Sequence, residues 1–254
     1  MKNQNKVLQQ IKSYAGEYDI VPIRKEIFAD VITPIGLLRN VAAKNKRFYL
    51  LESVEGGEKW GRYSFLGYDP VMRVSCFKKT VTVERQGKKE TIETEDSLAV
   101  IREILKDYRS PKLEGMPPFT GGFVGYFAYA MIAHAEPKLN IKRGEFNDYD
   151  LMLFDKVIVY DQLKQKIVVV ANVSTKGDIE RQYEQAEREI EDMIVMIRAD
   201  VEIEEEPVCE DVKFTCNVTK DEYEKIVEKT KEYIREGDIF QAVVSRRFVS
   251  EYSG

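Results

Sequence analysis

Residues 50–70 read LLESVEGGEKWGRYSFLGYDP, and the first half of the chain is best understood from this stretch. Its beginning belongs to the apolar run Phe48–Leu51, which is typical of a buried strand. The sequence becomes apolar and aromatic again over residues 60–66, which predicts a second strand. Between them, Gly56 and Gly57 allow the chain to turn back. We therefore expect a β-hairpin.

Polar residues mark the end of the first arm of this hairpin. Glu52 and Ser53 place a carboxylate and a hydroxyl there, and the only tryptophan of the chain, Trp60, lies nearby in the sequence. A hairpin end of this kind can line a small polar pocket with apolar walls, as ligand sites usually do. The same residues are also typical of an ordinary hairpin loop, and residue types alone favour the loop.

Charge and hydropathy exclude two classes of protein. The net charge of -5 leaves no basic stripe for phosphate backbones, so we expect no nucleic-acid binding. No segment approaches the roughly 18 uninterrupted apolar residues of a membrane span, so we expect no membrane insertion. The N-terminus lacks the apolar core of a secretory signal, which predicts a cytoplasmic protein.

Cysteine and histidine are too few for the common metal and disulfide frameworks. Cys76, Cys209 and Cys216 are widely spaced, which argues against a disulfide framework and a zinc knuckle. The single histidine, His134, excludes a His-rich metal site and gives no obvious Ser/His/Asp triad. The helix-like run around His134 favours a structural or surface role for it.

The pattern of elements predicts an α+β fold with mainly antiparallel sheets and flanking helices. We expect an N-terminal domain over residues 1–200 and an acidic linker over 201–212, where acidic residues crowd around a proline without periodicity. Residues 213–254 then begin a second domain. Its first helix opens with the capping box TKDE at 219–222 and ends at Gly237.

Four further segments give specific expectations. Residues 20–28 predict an extended segment that Pro22 interrupts. Residues 151–160 and 166–173 are rich in Val and Ile and predict the two arms of one hairpin. In GGFVGYFAYA, residues 121–130, glycines alternate with aromatic residues, which indicates a strand that another backbone or ring approaches closely. Residues 239–244 predict a strand.

Three motifs together resemble one family. LLESVEGGEKWGRYSFLGYDP, GGFVGY and GDIFQAVVSRRF (237–248) occur in the order found in anthranilate synthase component I, a chorismate-binding enzyme of tryptophan biosynthesis. The resemblance implies that the LLES segment forms part of an allosteric pocket for tryptophan. Ser53, Glu52 and Leu51 are the matching positions. It also implies that GDIFQAVVSRRF opens the chorismate-binding domain, where Gln241 is the residue nearest to the chorismate site.

The resemblance implies a lyase with a partner. In this family, ammonia from a glutamine amidotransferase subunit adds to chorismate bound to Mg2+ as the C4 hydroxyl departs, and pyruvate is then eliminated to give anthranilate. The match covers the whole chain but only about half of the family's length. We therefore expect the magnesium ligands and the catalytic residues in the missing half, no metal site in this chain, and an inactive fragment.

Three hypotheses remain open from the sequence. Isochorismate and salicylate synthases carry a lysine base where this chain has Gln241, and an amide cannot take a proton from water at neutral pH. Gln241 thus favours an amine-transferring enzyme, which is either anthranilate synthase or aminodeoxychorismate synthase component I. A third hypothesis is a non-catalytic amino-acid-binding module.

Overall fold

The computed structural model describes residues 2–30, 32–52, 61–136, 138, 139, 141, 144–199 and 213–251. The chain divides into two compact units, residues 1–201 and 202–254. The predicted linker lies outside the described residues. None of the described helices is long and apolar enough to cross a membrane.

The described helices and strands follow one another in this order along the chain. The α-helices are α1 Lys2–Tyr14, α2 Pro34–Ala42, α3 Ser97–Leu105, α4 Ile132–Ala135, α5 Ile179–Ile197 and α6 Lys220–Glu236, and short 3-10 turns cover Lys106–Tyr108 and Tyr129–Met131. The strands are β1 Ile20–Phe28, β2 Phe48–Leu51, β3 Tyr63–Tyr68, β4 Met72–Phe77, β5 Thr80–Arg85, β6 Lys88–Glu93, β7 Gly122–Phe127, β8 Tyr149–Phe154, β9 Lys156–Asp161, β10 Lys166–Ser174, β11 Thr215–Cys216 and β12 Phe248–Val249.

The first sheet has five antiparallel strands in the order β1-β10-β9-β3-β2. Helices α1, α2 and α5 pack on one of its faces. The core between them includes Ile11 of α1, Leu37 of α2, Val169 of β10 and Met193 of α5, and none of these is more than 2% exposed. Burial of each such side chain contributes roughly 1.5–3 kcal/mol, so this face stabilises the first unit.

Helix α5 has a specific polar contact at each end. At its start, the Asp178 side chain accepts a hydrogen bond from the Arg181 N–H, as expected of an N-cap. At its end, the buried Asn40 side chain donates to the carbonyls of Met196 at 3.2 Å and Ala199 at 2.9 Å. The last carbonyls of a helix have no partner within it, so Asn40 of α2 ties the two helices together.

The second sheet is also antiparallel, in the order β6-β5-β4-β8-β7. Helix α3 covers one face of it, where Ile101 packs with Val74 and Val81. The Tyr149 hydroxyl of β8 donates to the Ser97 carbonyl at the start of α3, at 2.9 Å. The predicted fold class, antiparallel sheets with flanking helices, is confirmed.

The chain passes from one sheet to the other at Asp155. We expected residues 151–160 to form one arm of a hairpin with residues 166–173. This prediction is confirmed from Lys156 onward, since β9 pairs with β10, and it is wrong for the residues before the crossing, because β8 lies in the second sheet. Most residues on either side of the crossing are buried, so the apolar pattern runs through it without a break. Asn172 of β10 fixes the crossing by donating to the carbonyls of Asp155 at 2.8 Å and Thr120 at 2.7 Å.

Pro22 does not interrupt β1, contrary to our expectation. β1 is a continuous strand of nine residues, and Pro22 lies opposite Asn172. The strand is at the edge of the sheet, so it has a ladder partner on one side only. A proline, which has no N–H to donate, is tolerated in an edge strand for this reason.

The second unit contains α6 and a short strand pair. Thr219 and Glu222 form the predicted capping box, in which the Thr219 Oγ1 accepts from the Glu222 N–H and the Glu222 carboxylate accepts from the Thr219 N–H. Gly237 ends the helix with a left-handed φ of 83°. Both predictions are confirmed, because both depend on residues close together in the sequence.

The strand predicted at 239–244 is not formed. Among the described residues of the second unit, only β11 and β12 pair, and residues 239–247 have no ladder partner. Phe240 is 93% exposed and Val243 is 87% exposed. β-Propensity alone does not make a strand, since a strand also needs a partner for its N–H and C=O groups.

The glycine-aromatic segment forms β7, at the edge of the second sheet. A Cβ added to Gly125 would lie 2.0 Å from the carbonyl oxygen of Asp150 in β8. A Cβ added to Gly121, whose φ is +146°, would lie 2.9 Å from the Asn172 Nδ2. The close approach predicted for this strand is confirmed at both glycines.

Gly125→Ala should lower the free energy of unfolding by about 1–3 kcal/mol, because the backbone of β8 cannot move away without breaking its pairing. Urea denaturation of the 254-residue chain measures this change. Gly144→Ala is the matched control, since a Cβ at Gly144 meets nothing within 4 Å. Equal stability of the two variants would contradict the packing described for β7.

Candidate functional site

Strand β2 brings the LLES segment to the edge of the first sheet. β2 pairs with β3 as the predicted hairpin, with Tyr49 opposite Gly67 and Leu51 opposite Phe65. Gly67 lies inside β3, and this position requires a glycine because a Cβ there would come within 2.4 Å of the Tyr49 ring. The Tyr49 ring also meets Phe154 edge to face, with 4.7 Å between ring centroids. β2 is thus held by aromatic packing as well as by its ladder.

Leu51 begins an apolar row that runs across the first sheet. In register, Leu51 lies opposite Phe65, Phe65 opposite Val159, and Val159 opposite Val168. Residues directly opposite each other in antiparallel strands share a face, so these four side chains line one face together. Phe119 meets Phe65 edge to face at 5.7 Å. Val159 and Val168 are buried and Phe65 is half-buried, whereas Leu51 is 49% exposed, so the row opens to solvent at Leu51.

A partly buried ion pair lies at the same end of the hairpin. The Arg62 guanidinium donates to both carboxylate oxygens of Asp161, at 2.9 and 2.6 Å, and lies 4.7 Å from the centroid of the Tyr63 ring. Burial alone would raise the pKa of Asp161. The hydrogen bonds from Arg62 and from the Lys164 N–H outweigh burial and hold this pKa below its usual value. Asp161 is therefore charged and paired at neutral pH.

The predicted site residues lie in three different situations. Leu51 and Glu52 follow one another at the end of β2, and both are exposed. Ser53 and Trp60 lie outside the described residues. Gln241 is exposed in the second unit, within the segment that forms neither helix nor strand.

Sequence reasoning missed Arg62 and Asp161 as members of this site. Asp161 is the last residue of β9 and follows the buried run 157–160, and a carboxylate in that position is the signal that could have found it. Arg62 gave no comparable signal, since it lies 99 residues away in the sequence and the pairing depends on sheet register. The arrangement combines an apolar row with a charged end, which suits a ligand with an aromatic or aliphatic body and a polar group.

The described residues contain no cluster of three or more His, Cys, Asp or Glu side chains able to hold a metal ion. The residues of this site do not form a ligand set for Mg2+, because Asp161 is already occupied by Arg62. We therefore assign no metal-dependent step to the residues described.

Comparison with known proteins gives a family match. The family model described as chorismate binding enzyme matches residues 46–254. Anthranilate synthase component 1 of Acetivibrio thermocellus is 37% identical over 254 residues, covering 96% of this chain and 51% of the relative. The protein of the same name from Aquifex aeolicus is 35% identical, covering 99% of this chain and 52% of the relative. This chain thus spans about half the length of these relatives.

A solved structure supports the same fold. The crystal structure of anthranilate synthase component I from Streptococcus pneumoniae matches with a TM-score of 0.59 at 25% identity. The match covers 90% of this chain and 49% of the other.

Asp161 should make the stability of the chain depend on acid pH. Its pKa is lowered in the folded state, so its stabilising contribution is present above the unfolded value of about 3.9 and is lost as pH falls through the folded pKa. Asp161→Asn should lower the free energy of unfolding by about 2 kcal/mol at neutral pH, and the difference from the unchanged protein should shrink below about pH 4. Urea denaturation across this pH range measures both.

The matched control is Asp30→Asn, since Asp30 is exposed and makes none of the ion pairs found among the described residues. This variant should follow the unchanged protein at every pH. If the Asp161→Asn difference persisted undiminished at low pH, the Arg62–Asp161 interaction would not be its cause.

Proposed function

Because the chain belongs to the chorismate-binding enzyme family, we propose that it forms part of the large subunit of an anthranilate synthase. The reaction converts chorismate and ammonia to anthranilate, pyruvate and water in tryptophan biosynthesis. The observation that carries this proposal is the length of the match. The family model extends through both compact units, and both named relatives match over almost the whole chain.

Gln241 supports ammonia as the nucleophile. An enzyme that adds water to chorismate needs a general base to remove a proton, and an amide side chain cannot act as one at neutral pH. Ammonia is already a nucleophile and needs no such base. The proposed role of this position is therefore to line the chorismate site without taking a proton. The same reasoning leaves aminodeoxychorismate synthase component I, which also transfers an amine, as the alternative enzyme.

The whole protein is proposed to work with a glutamine amidotransferase subunit that supplies ammonia and with Mg2+ as cofactor. Mg2+ stabilises negative charge on carboxylates and on a departing oxygen. Its ligands are proposed to lie in the part of the longer relatives that this chain does not span. The residues described contribute the sheet framework of the first unit and the opening elements of the second.

The end of β2 is proposed as the binding site for L-tryptophan as feedback inhibitor. Leu51 leads into the apolar row with Phe65, which suits an indole ring. The exposed Glu52 carboxylate can accept hydrogen bonds from an α-ammonium group, and Ser53 follows Glu52 in the sequence. Inhibition follows if tryptophan binds the inactive arrangement of the protein more tightly than the active one.

The product formed by the full-length protein tests the proposed activity. Incubation with chorismate, ammonium and Mg2+ should yield anthranilate, which is identified by its fluorescence and by chromatography. Gln241→Lys should lower the rate of anthranilate formation by about tenfold or more, because a lysine in this position introduces a cation and a possible base for water. Accumulation of aminodeoxychorismate without pyruvate would instead assign the protein to the para-aminobenzoate branch.

A further inference from the structure

One cavity of the first unit lies away from the end of β2. We call it the inter-sheet cavity: it is bounded by residues of both sheets, with Met72 and Leu153 from the second and Ile20 and Ser174 from the first, and its volume is about 470 Å³. Leu51 and Glu52 are not among its lining residues. The cavity is much larger than the roughly 30 Å³ that one water molecule takes in the liquid, so it has room for a small organic ligand.

The walls of this cavity contain buried polar atoms without partners. Ser110 Oγ, Asp155 Oδ1 and Asn172 Oδ1 are each almost inaccessible and have no hydrogen-bond partner among the described residues. Buried polar atoms are normally hydrogen bonded, and three such atoms around one cavity are unusual. The Asn172 Oδ1 can only accept a hydrogen bond, and so can the Asp155 Oδ1 when that carboxyl group is ionised. These atoms of the cavity wall therefore need hydrogen-bond donors.

The amide orientation of Asn172 is fixed by its own hydrogen bonds. Both of its N–H groups are used, one by the Thr120 carbonyl and one by the Asp155 carbonyl. Turning the amide over would break both bonds and place an oxygen against two carbonyl oxygens. Asn172 therefore has to present its acceptor to the remaining space.

Asp155 lacks a positively charged hydrogen-bond partner. The described residues donate no side-chain hydrogen bond to its carboxylate, and the neighbouring Lys156 lies 3.8 Å from Asp69 instead. Burial raises the pKa of Asp155; Lys156 opposes this effect, and Glu189 and Asp69 add to it.

The cationic side chains that line the cavity do not serve as the partner of the Asp155 carboxylate. The Lys176 Nζ is already held by Asp107 at 2.7 Å and by Asp19 at 3.2 Å. Arg85 is exposed, whereas Asp155 is half-buried. The cavity thus combines a poorly solvated carboxylate with a deficit of donors.

We propose that the inter-sheet cavity binds the primary ammonium group of a small organic amine. An ammonium group supplies three donors and one positive charge, which matches Asp155, Asn172 and Ser110. A divalent metal fits less well, since the described residues form no cluster of three His, Cys, Asp or Glu side chains. This site is independent of the proposed chorismate chemistry and of the end of β2.

Amide NMR of the isotopically labelled 254-residue chain tests the proposal, with n-propylammonium chloride as the probe at about pH 8, where a primary amine is protonated. The signals of Gly121 and Gly122, which line the cavity, should shift with saturation. Asp155→Asn, which keeps the shape and removes the charge, should weaken binding by about tenfold or more. If that variant does not fold, Ser110→Ala should weaken binding by about threefold.

Three controls make the outcome decisive. Asp30→Asn removes an exposed carboxylate that does not line the cavity, and it should bind the probe as the unchanged protein does. Tetramethylammonium has the same charge without N–H donors, and propionate has the opposite charge, so neither should shift these signals. Absence of saturable shifts with n-propylammonium, equal shifts with tetramethylammonium, or unchanged affinity in the Asp155 and Ser110 variants would overturn the proposal.

Discussion

The structure of the first unit depends on the passage of the chain between its two sheets at Phe154 and Asp155. Phe154 is 1% exposed and packs against the Tyr49 ring of β2. The Asn172 side chain holds the Asp155 carbonyl and the Thr120 carbonyl together, so that β10, the crossing and the segment before β7 share one set of hydrogen bonds. Since Tyr49 also packs over Gly67, the same crossing positions the hairpin whose end is the candidate site.

The elements that sequence predicts well are those with local causes. The capping box of Thr219 and Glu222 and the left-handed Gly237 define α6 through neighbours a few residues apart. The hairpin of β2 and β3 and the strand formed by GGFVGY follow from short apolar and glycine patterns. At the candidate site, sequence placed Leu51 and Glu52 where a strand ends, and this placement agrees with the structure.

The elements that sequence predicts poorly depend on distant partners. Residues 151–160 form strands of two different sheets, because burial on both sides of Asp155 hides the change of sheet. Residues 239–244 have strand-forming side chains but no strand to pair with among the described residues. The pairing of Arg62 with Asp161 joins positions 99 residues apart, and only the register of β3 and β9 brings them together. No local pattern carries that information.

The functional proposals divide between the two units. The first unit offers an apolar row ending at Leu51, a neighbouring ion pair and an edge strand held by aromatic packing. These features suit a binding role, and the described residues offer no metal cluster. The second unit carries Gln241 in an exposed segment whose apolar side chains Phe240 and Val243 face solvent. Chemistry on chorismate is therefore proposed for the longer protein, and recognition of the end product for the first unit.

Calorimetric titration of the 254-residue chain with L-tryptophan tests this division most directly. We expect saturable binding by the unchanged chain, and a loss of about tenfold or more in affinity in Ser53→Ala, since a hydrogen bond to a charged ligand group is removed. Ser13→Ala, which removes a hydroxyl from the surface of α1, should bind as the unchanged chain does. Undetectable binding by the unchanged chain, or equal affinity in Ser53→Ala, would contradict the assignment of a tryptophan site to the end of β2.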